Sequence, residues 1–76
     1  MEQTGTTGTM VKALRRGKGM TQQDLADATG LALATISRIE NNRHVPETAT
    51  KQVIARALGV PVEELNPGRV FYQWGR

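Results

Sequence analysis

The sequence predicts a small all-α domain, and three observations support this prediction. Apolar residues recur at helical spacing (i, i+3 and i+4) in short segments of the chain. Glycine or proline follows these segments, at positions where helices commonly end. A threonine with an aspartate three residues later has the spacing of a capping box, which marks the start of a helix. A chain of 76 residues is long enough for one such domain.

The beginning of the chain is rich in threonine and glycine and has almost no apolar side chains. We expect residues 1–9 to form a disordered tail, because they cannot bury enough surface to offset the entropy lost on ordering. Helix 1 is predicted over residues 10–16, with Thr9 as its N-cap and Gly17 just past its end. Its apolar face comprises Met10, Val11 and Leu14.

The clearest local signal in the chain is the start of helix 2. Thr21 and Asp24 have the spacing of a capping box, in which each side chain binds the backbone N–H of the other residue. Met20 and Leu25 flank the same helix start with the spacing of a hydrophobic staple. We therefore predict helix 2 over residues 22–29.

Further helices are predicted after helix 2. Helix 3 covers residues 33–42, and a loop rich in asparagine leads to helix 4 over residues 48–58. The apolar stripe of helix 4 comprises Val53, Ile54, Ala57 and Leu58. Pro61 suits the start of a short fifth helix over residues 62–65.

The C-terminal segment, residues 67–76, holds every aromatic side chain of the chain, and its run VFYQW has strand-type composition. Three arrangements are open: the segment folds back onto the domain, pairs as a short strand with a second copy, or binds another protein. Because an exposed aromatic strand invites aggregation, we expect the segment to be covered, with a dimer contact favoured. The residues expected at this dimer or partner contact are Val70, Phe71, Tyr72 and Trp74.

Helices 2 and 3 satisfy the spacing of a helix-turn-helix, in which two short helices cross steeply. Counting from Gln22, the fifth residue is the small Ala26, over which helix 3 can cross closely. The ninth residue is Gly30, and glycine takes a positive φ in the turn without steric penalty. The apolar residues that the remaining positions require are Leu25, Leu31, Ile36 and Ile39. These conditions hold together, which predicts a helix-turn-helix over residues 21–43.

At these positions the chain resembles a known family, the Xre/Cro-type helix-turn-helix domains of phage repressors and Cro proteins. The similarity covers residues 11–65 and includes Arg15 of helix 1, the TQ-xx-LA opening of helix 2, the ISRIE of helix 3 and the ALGV that closes helix 4. The resemblance implies a compact five-helix, repressor-like domain over residues 10–66. It also implies binding of double-stranded operator DNA, usually as a homodimer, and regulation of transcription.

The resemblance implies roles for individual residues as well. Helix 3 would lie in the major groove, with the base-reading residues Leu33, Ala34, Ser37 and Arg38. Phosphate contacts would come from Thr21, Gln22, Arg15, Asn41 and Arg43. Arg15 and Glu40 match the ion pair that ties helix 1 to helix 3 in many members of the family.

Helix 3 departs from the family pattern at its start. Ala32 stands where serine or threonine usually caps the helix, and we expect this to cost about 0.5–2 kcal/mol. Leu33 and Ala34 stand where relatives often carry polar base-reading side chains. Leu33 either contacts a thymine methyl group in the major groove or packs against Ile36 or a neighbouring helix. We therefore expect sequence preference to depend on Arg38, methyl contacts and DNA shape.

Charge and composition limit the classes of function. The net charge of +3 and the isoelectric point near 10.0 permit nucleic-acid binding without requiring it. A basic cluster at helix 1 either adds phosphate contacts or is a solvated helix face. Its members are Lys12, Arg15, Arg16 and Lys18.

Several kinds of site are excluded. The chain has no cysteine, and His44 is its single histidine, so neither a disulfide framework nor a Cys/His zinc site can form. No nucleophile–base set, phosphate loop or metal-ligand spacing is present, so we expect no enzyme and no cofactor or metal. No apolar run approaches the ~20 residues that span a membrane, and the first residues do not have the pattern of a signal peptide. We expect a cytoplasmic protein.

Two functions are therefore compared. The leading hypothesis is a transcriptional repressor or regulator that places helix 3 in the major groove as a dimer. The alternative is a DNA-binding antitoxin or interaction module whose main partner is a protein held by residues 67–76.

Overall fold

A computed structural model describes residues 7–65, and over this range the fold is all-α. The elements, in chain order, are α1 (Thr7–Gly17), α2 (Gln22–Thr29), α3 (Leu33–Glu40), α4 (Thr48–Leu58) and a 3-10 helix (Val62–Leu65). The predicted all-α fold is confirmed, but the predicted fifth helix is a 3-10 helix of 4 residues. No strand occurs between residues 7 and 65, and the strand predicted near the C-terminus lies outside the described residues.

Helix α1 begins earlier than the sequence predicts. It starts at Thr7, so Thr9 lies inside the helix and is not its N-cap, and the tail predicted over residues 1–9 is wrong for residues 7–9. The cause is a tertiary contact. Gly8 is buried, and a Cβ there would collide with the backbone oxygen of Ile39. The absence of a side chain lets the first turn of α1 pack directly on the end of α3, which offsets the entropy of ordering these residues.

The ends of the other helices agree more closely with prediction. Helices α2 and α4 have the predicted bounds, and each ends at a glycine with positive φ, 79° at Gly30 and 73° at Gly59. Helix α3 ends at Glu40 rather than at the predicted Asn42. Asn42 has a φ of 61°, a left-handed conformation that cannot continue a right-handed helix.

The core lies where all these elements meet. Its buried apolar residues are Val11, Leu25, Ala26, Ile36, Ile39, Ile54, Ala55, Leu58 and Leu65. The predicted stripe of α4 is wrong at one position, because Val53 is 37% exposed whereas Ala55 is buried. Periodicity identifies two neighbouring faces of α4 but does not say which of them turns inward, and the packing of α2 and the 3-10 helix against α4 decides this.

Candidate nucleic-acid interface

The start of α2 is stabilised by its own side chains. The Thr21 hydroxyl accepts a hydrogen bond of 2.9 Å from the backbone N–H of Asp24, and the Thr21 N–H donates to Asp24 Oδ2 at 2.9 Å. The predicted capping box is therefore confirmed. Because the hydroxyl acts as an acceptor here, it retains its own hydrogen as a donor for a further group.

The turn between α2 and α3 has the predicted geometry and one contact that the sequence did not predict. The N–H of Gly30 donates to the Ala26 oxygen at 2.8 Å, and Ala26 is buried under α3 as its small size allows. The hydroxyl of Thr29 donates to the Leu25 oxygen at 2.8 Å and accepts from the Leu31 N–H at 3.2 Å. The Thr29 side chain thus ties the last turn of α2 to the residue that leads into α3.

Helix α3 buries one side and exposes the other. Ile36, Ile39 and Glu40 are buried. The residues predicted to read bases lie at i, i+1, i+4 and i+5, which places them on one helical face. Within this face Leu33, Ala34 and Arg38 are exposed, and Ser37 is half-buried.

The N-terminal end of α3 has no side-chain cap, as predicted from Ala32. The backbone oxygen of Ala32 accepts the first helical bonds, from Thr35 at 3.0 Å and Ile36 at 3.1 Å, but no side chain accepts a bond from the first turn. Ala32, Leu33 and Ala34 are all exposed. The leading end of α3 is therefore an apolar, uncapped surface.

The C-terminal end of α3 is held by a buried polar network. Arg15 Nε donates to Glu40 Oε2 at 2.6 Å, and a second nitrogen of the guanidinium donates to Oε1 at 3.0 Å. The third nitrogen donates to the Met20 oxygen at 2.7 Å, and the Gln22 amide donates to Glu40 Oε1 at 3.0 Å. The side chains of Arg15 and Glu40 are 8% and 0% exposed. The network therefore joins α1, the turn before α2, α2 and α3.

The charge state of Arg15 follows from the same contacts. The hydrogen bond to Glu40 raises the pKa of the Arg15 guanidinium, and the Coulomb attraction of that carboxylate acts in the same direction, whereas burial acts against both. The net shift is upward from a pKa that is already high, so the guanidinium stays charged. Every buried polar side-chain atom between residues 7 and 65 has a hydrogen-bond partner. These hydrogen bonds offset the cost of removing Arg15 and Glu40 from water.

The predicted phosphate-binding residues fall into two groups. Thr21 is exposed at the start of α2, and Asn41 and Arg43 are exposed in the turn that follows α3. Gln22 is half-buried, and its hydrogen bond to Glu40 uses one of the two hydrogens on its amide nitrogen. Arg15 is buried, with all three of its nitrogens donating within the protein.

The basic cluster of α1 does not form one surface. Arg15 belongs to the buried network, whereas Arg16 is exposed. Lys18 extends toward the C-terminal end of α4, where a Cβ at Gly59 would lie 3.7 Å from its Nζ. A cation in this place stabilises the helix end through the helix dipole. The sequence alone did not distinguish these environments.

Three further predictions concern regions or sites outside this surface. The residues predicted at the dimer or partner contact, Val70, Phe71, Tyr72 and Trp74, lie outside the described residues. Within residues 7–65 no helix is both long and apolar enough to cross a bilayer, and no cluster of ligand-type side chains could hold a metal ion.

Comparison with known proteins places the chain among helix-turn-helix proteins. Residues 11–65 match the family model HTH_3, described as helix-turn-helix. The chain is 44% identical over 59 residues to the HTH-type transcriptional repressor RghR of Bacillus subtilis, covering 76% of this chain and 44% of RghR. It is 33% identical over 60 residues to the immunity repressor protein of Bacillus phage phi105, covering 79% of this chain and 42% of the repressor. The chain thus spans less than half of the length of these two relatives.

A solved structure gives the same assignment. The biofilm master regulator SinR, determined in complex with DNA, superposes with a TM-score of 0.76 at 30% sequence identity. The alignment covers 79% of this chain and 97% of the SinR chain.

Proposed function

The chain belongs to the HTH_3 helix-turn-helix family, and from this premise we propose that it binds specific sequences of double-stranded DNA and represses or otherwise regulates transcription. The observation that carries the proposal is the geometry of α2 and α3, in which a capped helix and a glycine turn hold α3 with one face exposed. The names of two relatives describe them as repressors, and the SinR structure contains DNA.

In this proposal α3 enters the major groove and α2 lies across the DNA backbone, as in other helix-turn-helix proteins. The base-reading residues are Leu33, Ala34, Ser37 and Arg38. The residues proposed to contact phosphates are Thr21, Gln22, Asn41 and Arg43. The two sets have different roles. Phosphate contacts fix the position of the protein on the duplex, and contacts to base edges give sequence preference.

Gln22 combines two features that favour a phosphate contact. It is the first residue of α2, where backbone N–H groups and the helix dipole attract an anion. Its amide is also held by Glu40, which leaves one amide hydrogen for a phosphate oxygen. We assign Arg15 an indirect role here, since its guanidinium orients the Glu40 carboxylate that holds Gln22.

We further propose that the protein binds DNA as a homodimer. Helix α3 has 8 residues, which corresponds to about 12 Å at a rise of 1.5 Å per residue. At ~3.4 Å per base pair this length spans only three or four pairs. Two copies with their α3 helices about 34 Å apart would read two half-sites on the same side of the duplex. The contact between the copies is proposed to involve Val70, Phe71, Tyr72 and Trp74.

Selection of bound duplexes from a random pool tests the proposal. We expect a consensus made of two related half-sites, and an affinity for it that falls with salt with a log–log slope near −0.9 for each phosphate contacted. Arg38→Ala should weaken binding to the consensus duplex and should relax the sequence preference at one base pair. Arg56→Ala, at an exposed position of α4 outside the proposed surface, is the matched control and should bind normally. Failure to enrich any sequence, with no salt-dependent binding to any duplex, would contradict the proposal.

A further inference from the structure

The leading end of α3 exposes a large apolar side chain. Leu33 is 43% exposed, and its neighbours Ala32 and Ala34 are exposed as well. Ile36, one turn further along, is fully buried and fills the core position. Leu33 is therefore not required to complete the packing of the domain. Packing does not explain why a leucine occupies this surface position.

The surface around Leu33 also lacks the groups that usually read bases. Ala32 and Ala34 have no hydrogen-bonding side chain, and the half-buried Ser37 hydroxyl, one turn later, lies 3.5 Å from the Asn41 amide. Arg38 is the exposed charged group of this face, and it lies at the opposite end of the helix from Leu33. Leu33 and Ala34, the exposed residues of the first turn on this face, can therefore offer a base pair only methyl and methylene groups.

Of the four bases, thymine alone presents a methyl group in the major groove, at C5, whereas hydrogen-bond donors or acceptors are present on all four. An apolar side chain placed against those donors and acceptors would remove water from them without replacing its hydrogen bonds, which is unfavourable. Placed against the thymine methyl, the same side chain buries apolar surface and is favoured. The apolar first turn of α3 thus favours thymine over the other three bases.

We propose that Leu33 is a specificity-determining residue that contacts the C5 methyl group of a thymine in each half-site, with Ala34 lining the same contact. This inference rests on the proposed function, because it requires α3 to lie in the major groove. It goes beyond that function by naming a base and a chemical group. The methyl group, rather than the hydrogen-bonding edge of the base pair, is what Leu33 recognises.

The test uses the duplex obtained by selection, with each thymine replaced in turn by uracil. Uracil keeps every hydrogen-bonding group of thymine and lacks only the methyl group. We expect the unaltered protein to lose about fourfold in affinity at one position of each half-site, the value for one methylene-sized group removed from an apolar contact. Leu33→Ala should bind the thymine and uracil duplexes equally at that position. At the other positions of the duplex, the effect of replacing thymine by uracil should be the same for Leu33→Ala as for the unaltered protein.

A gain-of-methyl experiment provides an independent measurement. At the same position, a duplex with 5-methylcytosine should bind the unaltered protein more tightly than the duplex with cytosine, and Leu33→Ala should not distinguish the two. Val53→Ala is the matched control, since Val53 is an apolar residue of similar exposure (37%) on α4, and it should keep the full methyl preference. Thermal unfolding of each variant verifies that it is folded.

The possible failures are distinguishable. If no uracil substitution weakens binding, or if Leu33→Ala keeps the same preference for the methyl group, the inference is overturned while the DNA-binding function stands. If the unaltered protein binds no duplex in a salt-dependent manner, the proposed function fails and the inference fails with it.

Discussion

The two ends of α3 are stabilised in different ways. At its C-terminal end, Glu40 is buried between Arg15 and Gln22, and the Ile39 oxygen lies under Gly8 of α1. At its N-terminal end, Ala32 provides no cap and Leu33 is exposed. The difference shows that α3 is positioned by its C-terminal half and its inward face. The exposed residues of its N-terminal turn, Leu33 and Ala34, lie outside the buried core and are therefore available for contacts with another molecule.

The largest expected effect comes from breaking the buried network at the C-terminal end. Arg15→Met leaves the Glu40 carboxylate buried without its main partner, and we expect a loss of about 3–5 kcal/mol in the free energy of unfolding. Small domains have about 5–15 kcal/mol in total, so this variant should be close to unfolding. Denaturant titration measures the loss. Arg16→Met, at the exposed neighbouring position, should change stability by less than about 0.5 kcal/mol.

The double variant Arg15→Met/Glu40→Leu sharpens this prediction. It removes both charges, so it should recover much of the stability lost in Arg15→Met. It also removes the acceptor for the Gln22 amide, so its affinity for DNA should be lower than that of the unaltered protein. Equal stability of Arg15→Met and the unaltered protein would mean that the network does not hold α3 in place.

The contact between α1 and the end of α3 gives the next largest effect. Gly8→Ala places a methyl group against the backbone oxygen of Ile39, which a small shift of a side chain cannot relieve. We expect a loss of about 1–3 kcal/mol, as for overpacked sites. Gly17→Ala is the control in the same helix, because nothing lies within 4 Å of its Cβ, and it should stabilise the protein by about 0.4–1 kcal/mol. A gain in stability for Gly8→Ala would contradict the close contact.

A side-chain cap at the N-terminal end of α3 should stabilise that end, which at present is less stabilised than the C-terminal end. Ala32→Ser supplies an acceptor for the first-turn N–H groups, and we expect a gain of about 1 kcal/mol in the free energy of unfolding. Thr21→Ala, which removes the cap of α2, should lose a similar amount. Both changes can be measured by chemical denaturation. If Ala32→Ser gives no gain while Thr21→Ala gives the loss, the start of α3 is already satisfied by other means.

The smallest effect on stability is expected at Arg43, which lies beyond the C-terminal end of α3. Arg43→Gln removes an exposed charge, so the free energy of unfolding should change by less than about 0.5 kcal/mol. The log–log salt slope of DNA binding should become shallower by about 0.9, the value for one phosphate contact. The preference for thymine over uracil should stay unchanged, because that preference depends on Leu33. A change in sequence preference would show that Arg43 contacts a base instead.

Local signals predicted some of these features well. The bounds of α2 and α4 match the prediction because a capping box at Thr21 and glycines at the C-caps act within one turn of the chain. Other features required contacts between distant residues. The early start of α1 depends on Gly8 meeting Ile39, and the composition of residues 1–9 gives no sign of that contact. The hydrogen bond from Gln22 to Glu40 joins residues 18 positions apart and was likewise not predicted.

The sequence by itself determined the helix-turn-helix, because its requirements are local: a cap, a small residue, a glycine and apolar residues at set spacings. The tertiary structure decided how each exposed or buried position is used. It buried Arg15 while leaving Arg16 exposed, and it exposed Leu33 while burying Ile36. Neighbouring residues of one helix differ in this way because burial depends on which side the other helices cover, and that is a property of the assembled fold.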